Sequence, residues 1–133
     1  MKGLASTIVN SRNCTMILSC LYDLNEGDIL VMKALAAAPG STLDDIAEAV
    51  SRDRTTVYRS LSKLLSLGMC LRKKKGIRGG GYYHVYTLVD TERIARRVES
   101  DVGDMIAGLN SLVTNFRHDF LQSITDSIRT TDV

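Results

Sequence analysis

The chain has 133 residues, of which 44% are hydrophobic and 24% charged, and its net charge is +2. This hydrophobic content excludes an intrinsically disordered chain, and the length fits one compact domain with an appendage. No apolar run approaches the roughly 20 residues of a membrane span, and the first residues lack the apolar stretch of a secretory signal. We therefore expect a soluble, cytoplasmic protein that has no membrane partner.

The positive charge is concentrated in the middle of the chain. Residues 51–89 contain nine Lys and Arg but only one acidic residue, Asp53, whereas residues 1–50 and 90–133 are each net negative. A solvated surface would normally mix both signs, so this distribution predicts a localised anion-binding surface.

The cysteines and the missing enzyme motifs exclude several kinds of site. Cys14, Cys20 and Cys70 are odd in number and form no C-x-x-C pair, which argues against a disulfide framework and a zinc site. We expect them to be small buried residues; a redox or metal sensor at Cys14 and Cys20 remains the alternative. No phosphate-binding loop or nucleophile motif is present, so we expect neither an enzyme nor a cofactor or metal.

The first predicted helices precede the basic segment. Residues 13–22 form a short apolar stretch that Asn13 is suited to cap. A stronger helix follows Asn25, a good N-cap residue with Asp28 three positions later, and it ends at Pro39-Gly40. Helical spacing predicts that its buried face consists of Ile29, Met32, Leu35 and Ala36.

Two further helices are marked by their caps. Thr42 and Asp45 form a capping box before a helix from Leu43 to Val50, and Asp53 caps a helix over residues 54–67. Gly68 then ends the second helix. The inward residues predicted from the spacing are Leu43, Ile46, Ala47 and Val50 in the first helix and Val57, Leu61, Leu64 and Leu65 in the second.

After Gly68 the sequence pattern changes to that of a hairpin. Residues 69–75 and the aromatic and β-branched residues 82–89 predict two strands. The glycine-rich residues 76–81 between them predict a thin, mobile turn. His84 is expected on the hairpin surface rather than as a metal ligand, because no second His or Cys lies beside it.

A long helix is predicted after the hairpin. Gly103 and Gly108 each cost about 1 kcal/mol relative to alanine, which would permit a break near residues 100–104. The apolar stripe is longer than one small domain can cover, so we expect a homodimer interface, with folding back onto the same domain as the alternative. The residues predicted for this interface are Ile94, Val98, Val102, Met105, Leu109, Val113, Phe116, Phe120 and Ile124.

The central sequence resembles a known family of DNA-binding domains. Residues 42–67, TLDDIAEAVSRDRTTVYRSLSKLLSL, and the Gly68-Met69 that follows are similar to the helix-turn-helix of winged-helix regulators of the TrmB, MarR and ArsR-like groups. The resemblance covers about residues 25–89. It implies a mainly α fold with a small β-hairpin, the wing, and a role as a transcriptional regulator that binds double-stranded DNA.

The residues expected to contact DNA lie on the second helix of this motif and on the wing. A major groove accepts one α-helix, whose N-terminal residues meet the base edges. Arg54 and Arg59 suit recognition of guanine, Tyr58 suits a phosphate contact, and Arg78 would reach DNA from the wing tip. The complete predicted set is Arg52, Arg54, Thr55, Thr56, Tyr58, Arg59, Lys63, Lys73, Lys74, Lys75 and Arg78.

Together these patterns predict three segments. Residues 1–24 form an N-terminal helical extension, residues 25–89 a winged helix-turn-helix domain, and residues 90–133 a dimerisation helix. A dimer would read a palindromic site with half-sites about 34 Å apart. The alternatives are a ligand- or redox-responsive switch on the same scaffold, whose effector the sequence does not identify, and a winged-helix module that binds another protein.

Overall fold

The computed structural model describes residues 3–131, which form two compact units, one ending at Ile94 and one beginning at Ala95. The fold is mainly helical with one β-hairpin, and it ends in a long helical segment, as the sequence predicted. Residues 1–2 and 132–133, which belong to the two outer predicted segments, lie outside the described residues.

The first unit contains five helices followed by a hairpin. The elements are α1 (Leu4–Asn10), α2 (Met16–Tyr22), α3 (Glu26–Ala37), α4 (Leu43–Val50), α5 (Arg54–Ser66), β1 (Cys70–Gly76) and β2 (Tyr82–Leu88). Helix α1 lies within the predicted helical extension, residues 1–24, in which only the second helix was located from the sequence; its apolar residues Leu4, Ile8 and Val9 are all exposed. The predicted cap of α2 was wrong: Asn13 instead accepts hydrogen bonds from the backbone and the hydroxyl of Thr15, so the helix begins at Met16.

The caps predicted for the three central helices are present. The Asn25 side chain accepts from the Asp28 amide at 2.8 Å, and Asp28 accepts from the Asn25 amide at 2.9 Å. Thr42 and Asp45 form the same reciprocal pair, and Asp53 accepts from the Thr56 amide. These contacts span only three residues, so they establish the helix starts independently of the rest of the fold.

The hairpin is attached to the helices by a short additional strand. Strands β1 and β2 pair antiparallel, with Cys70 opposite Leu88 and Gly76 opposite Tyr82. Ser41 forms an isolated bridge with Tyr86, whose amide donates to the Ser41 carbonyl at 2.8 Å. This bridge was not predicted, and it anchors the base of the hairpin beside the start of α4.

The hydrophobic core is formed mainly by α3, α4, α5 and the base of the hairpin. Leu35, Val57, Leu61 and Leu64 are fully inaccessible to solvent. The other buried members of this cluster are Leu24, Val31, Ile46, Met69, Cys70 and Tyr86. The core therefore fixes the inward face of α5 and leaves its opposite face at the surface.

The predicted inward faces needed correction on two helices. On α3 only Leu35 of the predicted set is fully buried. Met32 is half-buried and packs against the core, and Ile29, Met32 and Ala36 line a shallow apolar groove of about 290 Å³. On α5 Leu65 is half-buried and packs against the core, and Ser60 is buried in addition to Val57, Leu61 and Leu64. Helix α3 has apolar residues on two sides, and spacing alone does not indicate which side packs on the core.

The long C-terminal segment consists of α6 (Thr91–Asn115), a π-helical stretch (Phe116–Leu121) and α7 (Gln122–Thr131). The break that the glycines would permit near residues 100–104 does not occur, since α6 continues through Gly103 and Gly108. The cost of a glycine is small compared with the loss of several backbone hydrogen bonds that a break would require. The departure from α geometry occurs instead at the two phenylalanines.

The apolar stripe of the second unit is exposed. Val98 and Val102 are half-buried, whereas Met105 and the later predicted interface residues up to Ile124 are all exposed. Ile94 differs from the others because it packs against the core of the first unit.

None of the helices within residues 3–131 is long and apolar enough to cross a membrane.

Candidate nucleic-acid interface

The outer face of α5 is polar and accessible. Because Val57 and Leu61 point into the core, Arg54, Thr55, Tyr58 and Arg59 are left exposed. Half of the Tyr58 surface is accessible, which is high for a large aromatic residue. All four residues lie on the face for which they were predicted, in the first two turns of the helix.

Arg54, the first residue of α5, is paired with an acidic residue of α4. Its Nε lies 2.8 Å from Oδ1 of Asp44, and both side chains are about two-thirds exposed, at 68% and 71%. The pair lies at the edge of a cleft of about 380 Å³ that Tyr58 of α5 and Tyr83 and His84 of β2 also line. The start of α5 and the wing thus share one concave surface.

A second cleft, of about 500 Å³, lies between α5 and the N-terminus of α3. Arg52, Thr56 and Arg59 line it together with the first turn of α3, residues 26–28. The arginine side chains favour a negatively charged group, whereas the carboxylates of Glu26 and Asp28 on the α3 side oppose one. The Thr56 hydroxyl donates to Asp53, so it is engaged in capping α5.

Lys63 does not take the outward position predicted for it. Its Nζ lies 2.9 Å from Oδ2 of Asp28, a carboxylate with only 2% exposure, and it also donates to the Asp23 carbonyl at 3.3 Å. The buried Ser60 hydroxyl donates to the other carboxylate oxygen of Asp28. The prediction followed the helical spacing correctly, but a long side chain at the edge of a helix reaches toward the nearest buried opposite charge.

Burial raises the pKa of Asp28, but hydrogen bonds from Lys63, Ser60 and the Asn25 amide outweigh it and hold the pKa below its ordinary value of 3.8. The pKa of Asp53 is also lowered, mainly by the hydrogen bond from the Thr56 side chain. Both groups are therefore carboxylates at neutral pH. Asp28 joins α3 to the middle of α5 in this charged form.

The basic residues of the wing are divided between its two faces. Lys74 lies opposite His84, whereas Lys73 and Lys75 project from the other face because neighbouring strand residues alternate. Lys74 Nζ lies 3.6 Å from the centre of the Tyr82 ring, and Tyr82 meets His84 edge to face. All three lysines are exposed.

The wing tip depends on glycine. Gly79, Gly80 and Gly81 have φ values of 96°, 121° and 83°, a region that residues with a side chain rarely adopt. Arg78, which was predicted to contact DNA from the tip, is exposed immediately before them.

The structure adds residues that sequence reasoning missed. Asp44 and Asp28 contact predicted site residues, and Tyr83 lines the cleft next to Arg54. Asp44 occupied an ordinary acidic position in the first turn of a helix, and Asp28 was recognised only as a cap. Their contacts with Arg54 and Lys63 join residues that are 10 and 35 positions apart in the chain, and no local pattern indicates such contacts.

The cysteines differ from one another in exposure. Cys70 is buried, and burial raises the pKa of its thiol to about 11. Cys14 is exposed and Cys20 half-buried, which corrects the expectation that all three are buried. In the described part of the chain no group of three or more His, Cys, Asp and Glu is arranged to hold a metal ion.

Three packed helices, the third of which has an exposed basic face, and an attached two-stranded wing define a winged helix-turn-helix DNA-binding protein. The family of sugar-specific transcriptional regulators named TrmB matches residues 18–92. The chain belongs to this family, which confirms the resemblance found in the sequence.

Two uncharacterized proteins of Methanocaldococcus jannaschii are similar in sequence. One is 31% identical over 83 residues, 62% of this chain, and the match spans 63% of its own length, which is less than two thirds. The other is 34% identical over 102 residues, which cover 76% of this chain and 83% of that protein.

Solved structures share the fold. A possible transcriptional regulator from Methanosarcina mazei Go1 superposes with a TM-score of 0.70 at 23% identity, covering 76% of this chain and 86% of the other. A protein from the thermoacidophilic archaeon Sulfolobus tokodaii gives a TM-score of 0.58 at 21% identity, covering 71% and 93%.

Proposed function

We propose that the protein binds a specific duplex DNA sequence as a homodimer, with α5 in the major groove and the wing on the neighbouring backbone or minor groove. The observation that carries this proposal is the exposed basic face of α5. Arg54, Thr55, Tyr58 and Arg59 project from a helix whose opposite face is immobilised in the core. A rigid helix with exposed donors at its N-terminal end is suited to reading base edges.

The distribution of charge favours DNA over a protein partner. The arginines of α5 belong to a segment, residues 51–89, that has nine Lys and Arg and one acidic residue, and such a concentration of one sign suits a polyanion. Arg52 and Arg59, which line the second cleft, are exposed and suit contacts with backbone phosphates. Lys73, Lys75 and Arg78 extend the positive surface onto the wing.

The proposal is tested by selection of sites from a random duplex pool, followed by measurements of affinity at several salt concentrations. We expect one preferred sequence and a steep fall of affinity as salt rises, because phosphate contacts release counterions. Arg59→Ala should lower the affinity, with Lys33→Ala, which removes an exposed lysine from α3, as the control. Equal affinity for all duplexes, or a flat response to salt, would contradict the proposal.

Support for a homodimer comes from the second unit. Its exposed large hydrophobic residues are Met105, Ile106, Leu109, Leu112, Val113, Phe116, Phe120, Leu121, Ile124 and Ile128. A contiguous apolar surface of this extent is unusual on a monomer. A second copy offers the same stripe, so an isologous pair of helices would bury both stripes at once. We propose this pairing for the predicted residues from Val98 to Ile124.

Sedimentation of the full chain tests the dimer. Val113→Asp places a charge in the stripe and should shift the protein toward the monomer. Ser111→Asp adds the same charge to the same helix, but two residues away and on the opposite side, and should leave the dimer intact. Equal effects of the two variants would argue against a specific interface.

A further inference from the structure

The ion pair between Asp44 and Arg54 joins the two helices of the helix-turn-helix at the end that faces DNA in the proposed complex. Asp44 is the second residue of α4 and Arg54 the first residue of α5, and their closest atoms, Oδ1 and Nε, are 2.8 Å apart. The neighbouring Asp45 already accepts the hydrogen bond that completes the α4 cap. Asp44 is therefore not needed for capping, and its carboxylate is available to Arg54.

The atom that is paired determines which edge of the guanidinium remains available. An arginine can offer a guanine either Nε with one terminal nitrogen or its two terminal nitrogens. Because Asp44 lies closest to Nε, recognition through the two terminal nitrogens, toward the O6 and N7 acceptors of guanine, is the geometry that keeps this ion pair intact. The ion pair thus favours the end-on geometry of Arg54 over the one that uses Nε.

The pair has little value for stability alone. Both side chains are about two-thirds exposed, and ion pairs with that exposure contribute little to folding. In a DNA complex, however, the carboxylate opposes phosphate binding and can accept a hydrogen bond from the amino group of cytosine or adenine. The negative charge of Asp44 weakens binding to every duplex, whereas its contact with Arg54 strengthens binding only to the duplex that has guanine at the position of Arg54.

We infer that Asp44 is a specificity-determining residue, which holds Arg54 for end-on recognition of a guanine and disfavours other bases at that position. This inference rests on the proposed binding of α5 in the major groove. The inference assigns a role in recognition to a residue of α4, which acts through Arg54 and lowers the affinity for non-specific DNA.

The test compares full-length Asp44→Asn with the wild type on the selected site and on all of its single-base variants. We expect discrimination at one G·C pair to fall about tenfold while affinity for unrelated duplexes rises. Glu48→Gln removes the same charge from an exposed position of the same helix. This control should leave the discrimination at that G·C pair unchanged. In an Arg54→Ala background, Asp44→Asn should have no further effect on discrimination.

The outcomes separate this inference from the proposed function. If the wild type selects a sequence but Asp44→Asn retains its discrimination, or loses it equally at every position, the role of Asp44 is refuted while DNA recognition stands. If the wild type selects no sequence, both proposals fail. Arg54→Lys keeps the charge but not the fork, so it should lose the same G·C preference. Thermal melting of each variant establishes that it remains folded.

Discussion

The buried carboxylate of Asp28 provides a quantitative test of how α5 is held in place. Asp28 accepts hydrogen bonds from the Asn25 amide, the Ser60 hydroxyl and the Lys63 ammonium, the last at 2.9 Å. Two of these partners lie on α5, so the carboxylate links that helix to the start of α3. Asp28→Ala removes all three contacts in one substitution.

The expected loss follows from the burial of each partner. Losing half of the capping box costs about 1 kcal/mol, and a buried Ser60 hydroxyl without its acceptor costs about 1–3 kcal/mol. The Lys63 side chain is 40% exposed, so its charge can return to water and adds less than the 3–5 kcal/mol of a fully buried pair. We expect Asp28→Ala to lower the free energy of unfolding by about 2–4 kcal/mol.

Urea unfolding monitored by circular dichroism measures this value. Asp28→Ala, Lys63→Met and the double variant form a cycle, and we expect a coupling of about 1 kcal/mol or more between the two side chains. Lys33→Met removes an exposed lysine from α3 and should change stability by less than about 0.5 kcal/mol.

The reasoning would be refuted by a loss below about 1 kcal/mol in Asp28→Ala, or by additive effects of the two substitutions. The first result would mean that the buried carboxylate is not held by these contacts. The second would mean that Lys63 and Asp28 do not interact in solution and that Lys63 is available for DNA.

Two further predictions concern titration. Because hydrogen bonds lower the pKa of Asp28 below 3.8, its contribution to stability is complete above about pH 3.8 and is lost as the pH falls through the lower pKa of the folded state. Asp28→Asn should therefore lose less stability on acidification than the wild type does. An identical loss of stability in both proteins would exclude Asp28 as its cause. Cys70, with a pKa of about 11 and only 2% exposure, should resist a thiol reagent at pH 8 until the protein is unfolded, whereas the exposed Cys14 should react at once. Mass spectrometry measures the rate of modification of each cysteine, and rapid modification of Cys70 in the folded protein would contradict its buried position.

Some residues of the candidate DNA interface could be placed from the sequence and others could not. The concentration of positive charge and the outward direction of Arg54, Tyr58 and Arg59 could be read from composition and helical spacing, because the inward residues Val57 and Leu61 define the opposite face. The direction of a long side chain at the edge of that face could not be read in this way. Helical spacing places the Cα atom of Lys63, but not the end of a flexible chain that bends toward Asp28.

What the sequence determined by itself is local. The caps at Asn25, Thr42 and Asp53 act over three residues, so each helix start is decided by its own segment, whatever packs against it. The hairpin is similarly local, since its strands are joined by a short turn that requires glycine. These features, with the resemblance in residues 42–67, were sufficient to predict the fold class.

What the tertiary structure alone decided are the contacts between elements distant in the chain. The Ser41–Tyr86 bridge, the links from Asp28 to α5 and the Asp44–Arg54 pair all depend on how the helices cross. Crossing depends on which of several apolar faces packs inward, and α3 has apolar residues on two sides. That choice minimises the free energy of the whole core rather than of any one segment, and no local pattern contains it.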